Sequence, residues 1–246
     1  MNSLDFKLDY QMIKNNDNKG YPVIVVAAGN STRMCGTNKQ LITLCGVPAI
    51  IHTLLAFERS NFISNIVLVT KEEDILLLQN LAEKYLITKL SDVVAGGSNR
   101  QESVLNGLKA IKNTEHVLIH DGARPLISEN VIARVCEQIG NADGVICGIS
   151  VTDTIKKTQN GRVLSTVDRS DMISVQTPQA VKYDVYIDAL NNCDYSQFTD
   201  DASVLENIGH TVIFVEGEKS NIKITTPEDI ALAEFYLEKR GENECE

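Results

Sequence analysis

The chain has 246 residues, with 23 Lys and Arg set against 33 Asp and Glu, for a formal net charge of −10. Such an acidic balance excludes broad binding to nucleic acid or anionic membranes, and no apolar run approaches the ~20 residues of a bilayer span. Six cysteines without a C-x-x-C pair read as reduced thiols rather than a disulfide framework or zinc site.

Residues 1–20 mix Asp5, Asp9 and Asp17 with lysines and asparagines. They lack both the apolar core of a signal peptide and the arginine-rich, acid-poor character of a transit peptide. They read as a loose leader on a cytoplasmic protein, followed by one domain over residues 21–240.

Val23, Ile24, Val25, Val26 and Ala27 form an apolar run of buried-strand type, which empties into Ala28, Gly29, Asn30, Ser31, Thr32 and Arg33, with Lys39 soon after. A strand thus delivers a small turn and two cations to a sheet edge, which suits a polyphosphate. Gly29 lets backbone approach a ligand. Loop amides and the Ser31 and Thr32 hydroxyls can donate to phosphate oxygens. Arg33 offers a planar fork of donors and Lys39 a point charge. Neither G-x-x-x-x-G-K-[ST] nor G-x-G-x-x-G is present. Taken alone, the segment also fits a solvated β–α turn, since Gly and Ser dominate turns.

Val47, Ile50, Ile51, Leu54 and Leu55 then recur at helical spacing, with Pro48 in the first turn. A strand over 66–70, a helix over about 72–85 and a short strand at Val93, Val94 and Ala95 follow, the last ending at Gly96 and Gly97. Ser98 is placed to cap the next helix, with Gln101 completing a box. Val104, Leu105, Leu108 and Ile111 form its inner face. Another strand at Val117, Leu118 and Ile119 leads into Asp121-Gly122-Ala123-Arg124-Pro125. Ser128 caps a helix carrying Val131, Ile132, Val135, Cys136 and Ile139, and residues 144–149 form one more strand. Strands alternating with crossover helices predict a mostly parallel, Rossmann-like α/β sheet with helices on both faces. Ligands bind such sheets beyond the carboxyl ends of strands, so the loops at Gly29, Gly96 and Asp121 should share one edge.

The alternation breaks over residues 152–176. Asn160-Gly161 signals a type I′ hairpin. The flanking strands hold too few apolar residues for a core of their own, so the hairpin reads as a projecting arm that docks on another subunit. A helix near 181–190, a helix over about 201–208 ended by Gly209, a strand over 211–215 and a short strand around 222–224 come next. Thr226 caps the final helix, with Pro227 at its first position.

Nine segments in order, AAGNSTRM (27–34), NKQ (38–40), GGSNRQESVLNGL (96–108), HDGARP (120–125), DTIK (153–156), TVDR (166–169), QTPQ (176–179), TDDAS (199–203) and NIKITTPEDIALAEFYL (221–237), resemble the 2-C-methyl-D-erythritol 4-phosphate cytidylyltransferases. The likeness runs from about Tyr21 to Glu238. It implies that the loop of Ala27, Ala28, Gly29, Asn30, Ser31, Thr32 and Arg33 wraps the CTP triphosphate. It implies that Arg33 and Lys39 stabilise the reacting α-phosphate, and that Gly97, Ser98 and Ser103 hold cytosine and ribose. Asp121 and Arg124 then lie near both substrates. Thr154 and Arg169 reach across a homodimer to the sugar phosphate, and Thr177, Thr199 and Lys223 complete that cluster, Arg169 and Lys223 belonging to the catalytic set. Mg²⁺ is expected on the CTP phosphates, with no metal site built from protein side chains and Asp121 at most a water-mediated partner. Ser98-Asn99 stands where some members carry a more acidic pair, and Gly122 and Asp201 occupy positions that vary in the family.

Without those motifs, Arg169 would read as a surface cation and Lys223 as an outward charge on a strand, and His120 still reads as the end of a buried strand. Asp153, Asp168 and Asp171 read as turn residues. The rivals are a ribitol 5-phosphate cytidylyltransferase, which the TVDR and TDDAS stretches disfavour, a nicotinamide-dependent reductase, disfavoured by the missing G-x-G-x-x-G, and a non-catalytic nucleotide-binding protein.

Overall fold

The computed structural model describes residues 20–29, 40–192 and 198–243. Its centre is a seven-stranded sheet in the order β11-β7-β10-β6-β1-β4-β5. The strands are β1 (Tyr21–Val26), β4 (Ile63–Thr70), β5 (Leu90–Ala95), β6 (His116–Asp121), β7 (Gly144–Ser150), β10 (Ile173–Lys182) and β11 (Val212–Glu216). All neighbours run parallel except β10, which is antiparallel to both β6 and β7. Two short pairs stand apart, β2 (Thr43–Leu44) with β3 (Val47–Pro48), and β8 (Ile155–Gln159) with β9 (Arg162–Val167).

Seven α-helices are described: α1 (Ala49–Arg59), α2 (Ile75–Lys84), α3 (Arg100–Ala110), α4 (Glu129–Glu137), α5 (Tyr183–Asn192), α6 (Asp201–Asn207) and α7 (Glu228–Asn243). The strand side chains alternate between two cores, as a period of two demands. Val23, Val25 and Leu68 pack with Ile50, Leu54 and Phe57 of α1 and Val131 and Val135 of α4. Ile24, Val67 and Val69 face the other way, onto Val104 and Leu108 of α3, Tyr186 of α5 and Val204 and Leu205 of α6. Both faces being covered explains why β1 and β4 read as unbroken apolar runs. A small third cluster of Leu44, Ala49, Leu126, Ile224 and Ala233 seats α7.

Several expectations need correction. The sequence pattern places a helix over 181–190, but Val181 and Lys182 belong to β10 and α5 begins at Tyr183. β10 escapes the apolar-run criterion because its buried core includes Gln176, Thr177 and Gln179, and it carries Pro178, whose bond to Thr177 is cis. The cap of α3 is Asn99, whose side chain accepts from the Glu102 backbone N–H, one residue later than expected. Residues 222–224 are irregular rather than a strand. The helix expected over 72–85 divides into a 3₁₀ turn, Glu72–Asp74, followed by α2. The arm forms as expected, with Asn160 and Gly161 both at positive φ in its turn.

Candidate active site

The carboxyl ends of β1, β5 and β6 open into one cavity of about 330 Å³, whose lining includes Ala28, Gly29, Gly97, Ser98, Arg100, Ser103, Asp121 and Lys223. The three loops that sequence assigned to a common edge do converge there. Gly96 permits a close approach of two loops: a Cβ at that position would come within 2.3 Å of the Ala28 side chain and 3.0 Å of the Ser103 hydroxyl. Ala27 is buried beneath the loop, its N–H donating to Val69 O at 2.7 Å.

On the α3 side, Gly97 N–H donates to Ser103 Oγ at 3.0 Å, and that hydroxyl donates to Asn99 O at 2.8 Å. Ser98 donates to Glu102 Oε2 through both its backbone N–H, at 2.8 Å, and its hydroxyl, at 2.6 Å. Those two donors hold the Glu102 carboxyl below its ordinary range. The loop is therefore preformed by its own helix.

On the opposite side Asp121 is the focus. Its Oδ2 accepts from Lys223 Nζ at 2.7 Å and lies 3.9 Å from Arg124 Nε, while Oδ1 lies 3.4 Å from Arg100 Nε. Burial alone would raise this carboxyl, but Arg100, Lys223 and Arg124 outweigh it and hold it well below the usual carboxylate range. Lys223 stands 102 residues away from Asp121 in sequence, and a set of ties brings it in. Arg124 Nη1 donates to Asn221 O at 2.8 Å, Asn221 Nδ2 to Thr177 O at 2.9 Å, and Ile224 N to Ala123 O at 2.8 Å. Outward projection, the simpler expectation for Lys223, does not hold: its side chain remains 38 % exposed, yet its head is paired at the cavity.

His120 and Thr177 support this turn from behind. His120 is fully buried, and burial pushes its pKa down to about 3, so the ring is neutral. Arg124 O, 3.2 Å from Nε2, can only accept, which places the ring proton on Nε2. Nδ1 is then an acceptor, and the Thr177 hydroxyl 3.0 Å away donates to it. The same Thr177 oxygen accepts from Asp121 N–H at 3.0 Å. One imidazole–hydroxyl pair thus grips both ends of the turn carrying Asp121 and Arg124. Thr177, placed by resemblance with the sugar-phosphate contacts, spends its proton on His120.

The remaining expected residues divide. Arg124 lies under the cavity, its guanidinium directed to Asp121 and the 221–223 segment. Thr199 is exposed just before α6 and outside the cavity lining. Thr154 and Arg169 sit exposed at the arm, the Arg169 guanidinium donating to Thr152 O. Asn30, Ser31, Thr32, Arg33 and Lys39 lie outside the described residues, as does Cys35. Sequence reasoning quoted Arg100 inside a motif without giving it a role, and treated Asp201 only as a variable position. Their pairing across 101 residues is a tertiary fact.

Among the described residues no group of three or more His, Cys, Asp or Glu side chains could hold a metal ion, and Asp121 is already enclosed by cations. The described residues do not fit a protein-held magnesium ion. No described helix is long and apolar enough to cross a membrane.

Three comparisons bear on this arrangement. The profile of the family described as IspD, 2-C-methyl-D-erythritol 4-phosphate cytidylyltransferase, matches residues 22–239. A protein of that name from Clostridium novyi is 44 % identical over 220 residues, covering 87 % of this chain and 95 % of the relative. One from Halalkalibacterium halodurans is 41 % identical over 223 residues, covering 89 % and 98 %. The crystal structure of 4-diphosphocytidyl-2C-methyl-D-erythritol synthase from Anaerococcus prevotii superposes with a TM-score of 0.79 at 32 % identity, covering 90 % of this chain and 97 % of that one.

Proposed function

The chain belongs to the 2-C-methyl-D-erythritol 4-phosphate cytidylyltransferase family, and from that premise we propose how its cavity carries out the transfer. As a nucleotidyltransferase of isoprenoid precursor synthesis, it moves the cytidylyl group of CTP to the sugar-alcohol phosphate and releases pyrophosphate. Ala28 and Gly29 border the triphosphate, Gly97, Ser98 and Ser103 the cytidine. Asp121 and Lys223 face the sugar phosphate, with Arg124, Thr177 and Thr199 behind or beside them. Arg33 and Lys39 belong to the same set by their place in the motifs.

A phosphate oxygen of methylerythritol phosphate attacks the α-phosphorus of CTP. The new P–O bond forms as the bond to the bridging α–β oxygen breaks, and pyrophosphate leaves with that electron pair. The attacking monoester is already anionic near neutral pH, its second pKa being about 6, so no strong general base is needed. Catalysis then consists of holding two polyanions in line and neutralising the charge that grows between them. Lys223 is suited to that neutralisation, because its side chain is 38 % exposed at the cavity and its Asp121 partner keeps the head pointed inward. Magnesium, carried by the triphosphate oxygens, would lend further charge neutralisation.

The observation that carries this reading is the meeting of Gly97, Ser103, Asp121 and Lys223 around one cavity, since Lys223 comes from a segment 102 residues beyond Asp121. We further propose a cytoplasmic homodimer in which the arm, residues 152–176, lends Thr154 and Arg169 to the partner's site. Val163 and Leu164, 64 % and 54 % exposed on β9, favour that reading, because an isolated two-stranded ribbon with apolar side chains needs a surface to cover them. Pyrophosphate release measured with CTP, UTP and ATP against methylerythritol phosphate and ribitol 5-phosphate tests the assignment. Turnover is expected with CTP and methylerythritol phosphate. Lys223→Ala should lower kcat/KM about 100-fold, the scale for losing one charged donor at a reacting centre. An unchanged value would remove Lys223 from the site.

A further inference from the structure

Arg100 is a cavity cation to which the mechanism above assigns no role. It opens α3, next to the Ser98–Asn99 turn, and meets Asp121 at the cavity wall. Its two η nitrogens donate to Asp201, at 2.8 and 2.7 Å, and its Nε lies 3.4 Å from Asp121 Oδ1. A guanidinium carries five N–H donors. Three are committed, and the two outer hydrogens on the η nitrogens have no partner among the described residues.

The anchor is more deeply held than the cation. Asp201 is 0 % exposed and also accepts the Tyr186 hydroxyl at 2.6 Å, and its backbone N–H donates to Gln179 Oε1 at 3.1 Å. The Arg100 side chain stays 23 % exposed, toward the cavity. Burying an ion pair is a poor way to stabilise a fold, because desolvation offsets the attraction and an apolar pair of similar volume does as well. A pair built for stability alone would also bury both heads. Here the carboxylate is sealed, while the arginine side chain is partly exposed at the cavity it lines.

We propose that Arg100 is a further catalytic residue of the transfer, its outer N–H groups donating to anionic oxygens where the two reactants meet. Asp201, with Tyr186, is the positioning unit that fixes its plane. This rests on the placement of nucleotide and sugar phosphate argued under Proposed function. Unlike Lys223, Arg100 cannot swing out to follow a departing group, since its fork is tied to a buried carboxylate. It therefore serves as a fixed donor, whose preorganisation costs nothing at the moment of reaction.

Arg100→Ala would leave Asp201 charged and unpaired in the interior and endanger the fold. The decisive variant is therefore Arg100→Gln with Asp201→Asn, which removes both charges, keeps the shape of the buried Asp201 side chain and leaves Tyr186 an acceptor. Its urea midpoint should lie near that of the unmodified protein, while kcat falls about 100-fold with little change in KM. Activity within about threefold of the unmodified protein would overturn the proposal. Should the double variant fail to fold, Arg100→Lys decides, since it keeps the charge and loses the fork: a tenfold or greater fall in kcat supports the role, and an unchanged kcat overturns it. For the positioning unit, Asp201→Asn should lower kcat about tenfold at unchanged KM, and Asp201→Glu should recover part of it. Failure of Asp201→Asn to lower kcat removes the positioning role. Lys223→Ala is measured in parallel. If it is impaired while the Arg100 variants are not, the proposal alone fails; if none is impaired, the site assignment fails with it.

Discussion

Acid should weaken this fold through His120 before its carboxylates titrate. The ring is fully buried, bonded to Arg124 O and Thr177, and burial drives its pKa from 6.5 to about 3. The Arg124 carbonyl and Asp121 work against that fall, while the Arg124 and Lys223 charges reinforce it. Below pH 6.5 the unfolded chain takes up a proton that the native ring refuses. The stability His120 lends is therefore complete above pH 6.5 and drains away as pH descends toward about 3. The slope is about 1.4 kcal/mol per pH unit, or about 2–3 kcal/mol between pH 6.5 and 4.5. His116, also depressed by burial, adds to the same limb, and Asp121, Glu58 and Glu102, all held low, lose their contributions only below the ordinary carboxylate range. Those effects are common to the unmodified protein and to His120→Gln, so the difference between the two isolates His120. Urea unfolding at half-unit pH steps, with m-values compared, reads it directly. The unmodified protein should lose about 1.4 kcal/mol more per pH unit than His120→Gln, whose starting stability will be lower. Parallel acid limbs would show that His120 protonates like a solvent histidine, and the tautomer assigned to it would fall as well.

Thr177→Val strands two buried partners, His120 Nδ1 and Asp121 N–H, at about 1–3 kcal/mol each, whereas Thr177→Ser keeps both bonds and loses only a methyl, worth about 1 kcal/mol; equal urea midpoints for the two variants would contradict the assignment. At Gly107, helix propensity favours Ala by about 1 kcal/mol, but the new methyl would sit 2.7 Å from Ile24 Cγ2 and 2.9 Å from Val69 Cγ2, and overpacking costs about 1–3 kcal/mol. Gly107→Ala should lower the melting temperature, and a rise would mean that β1 and β4 yield more readily than close packing allows. For the arm, inactive Arg33→Ala and Arg169→Ala proteins should regain partial activity after subunit exchange, and failure to recover would place Arg169 in its own subunit's site.

The strongest sequence signals were those set by a few neighbouring residues. Apolar runs at Val23 and Ile66 meant strands covered on both faces, and helical spacing at Ile50 and Val131 meant inward faces. Ser128 capped its helix as read, its hydroxyl accepting from Val131 N–H at 3.2 Å, and Asn160-Gly161 turned the arm. Each rests on periodicity or on a single side chain bonding to nearby backbone, which the chain carries whatever surrounds it. β10 was hidden because its inward residues are polar and satisfied by partners far away, Gln179 by Asp200 and by the backbone of Asp201 and Ala202. The pairing of Lys223 with Asp121 and of Arg100 with Asp201 was hidden for the same reason. A charge belongs to a residue, but its partner is chosen by which strands lie adjacent and which loops close over them. The residue types at this edge were thus determined locally, and only the packed sheet decided which cations face the cavity and which carboxylates hold them there.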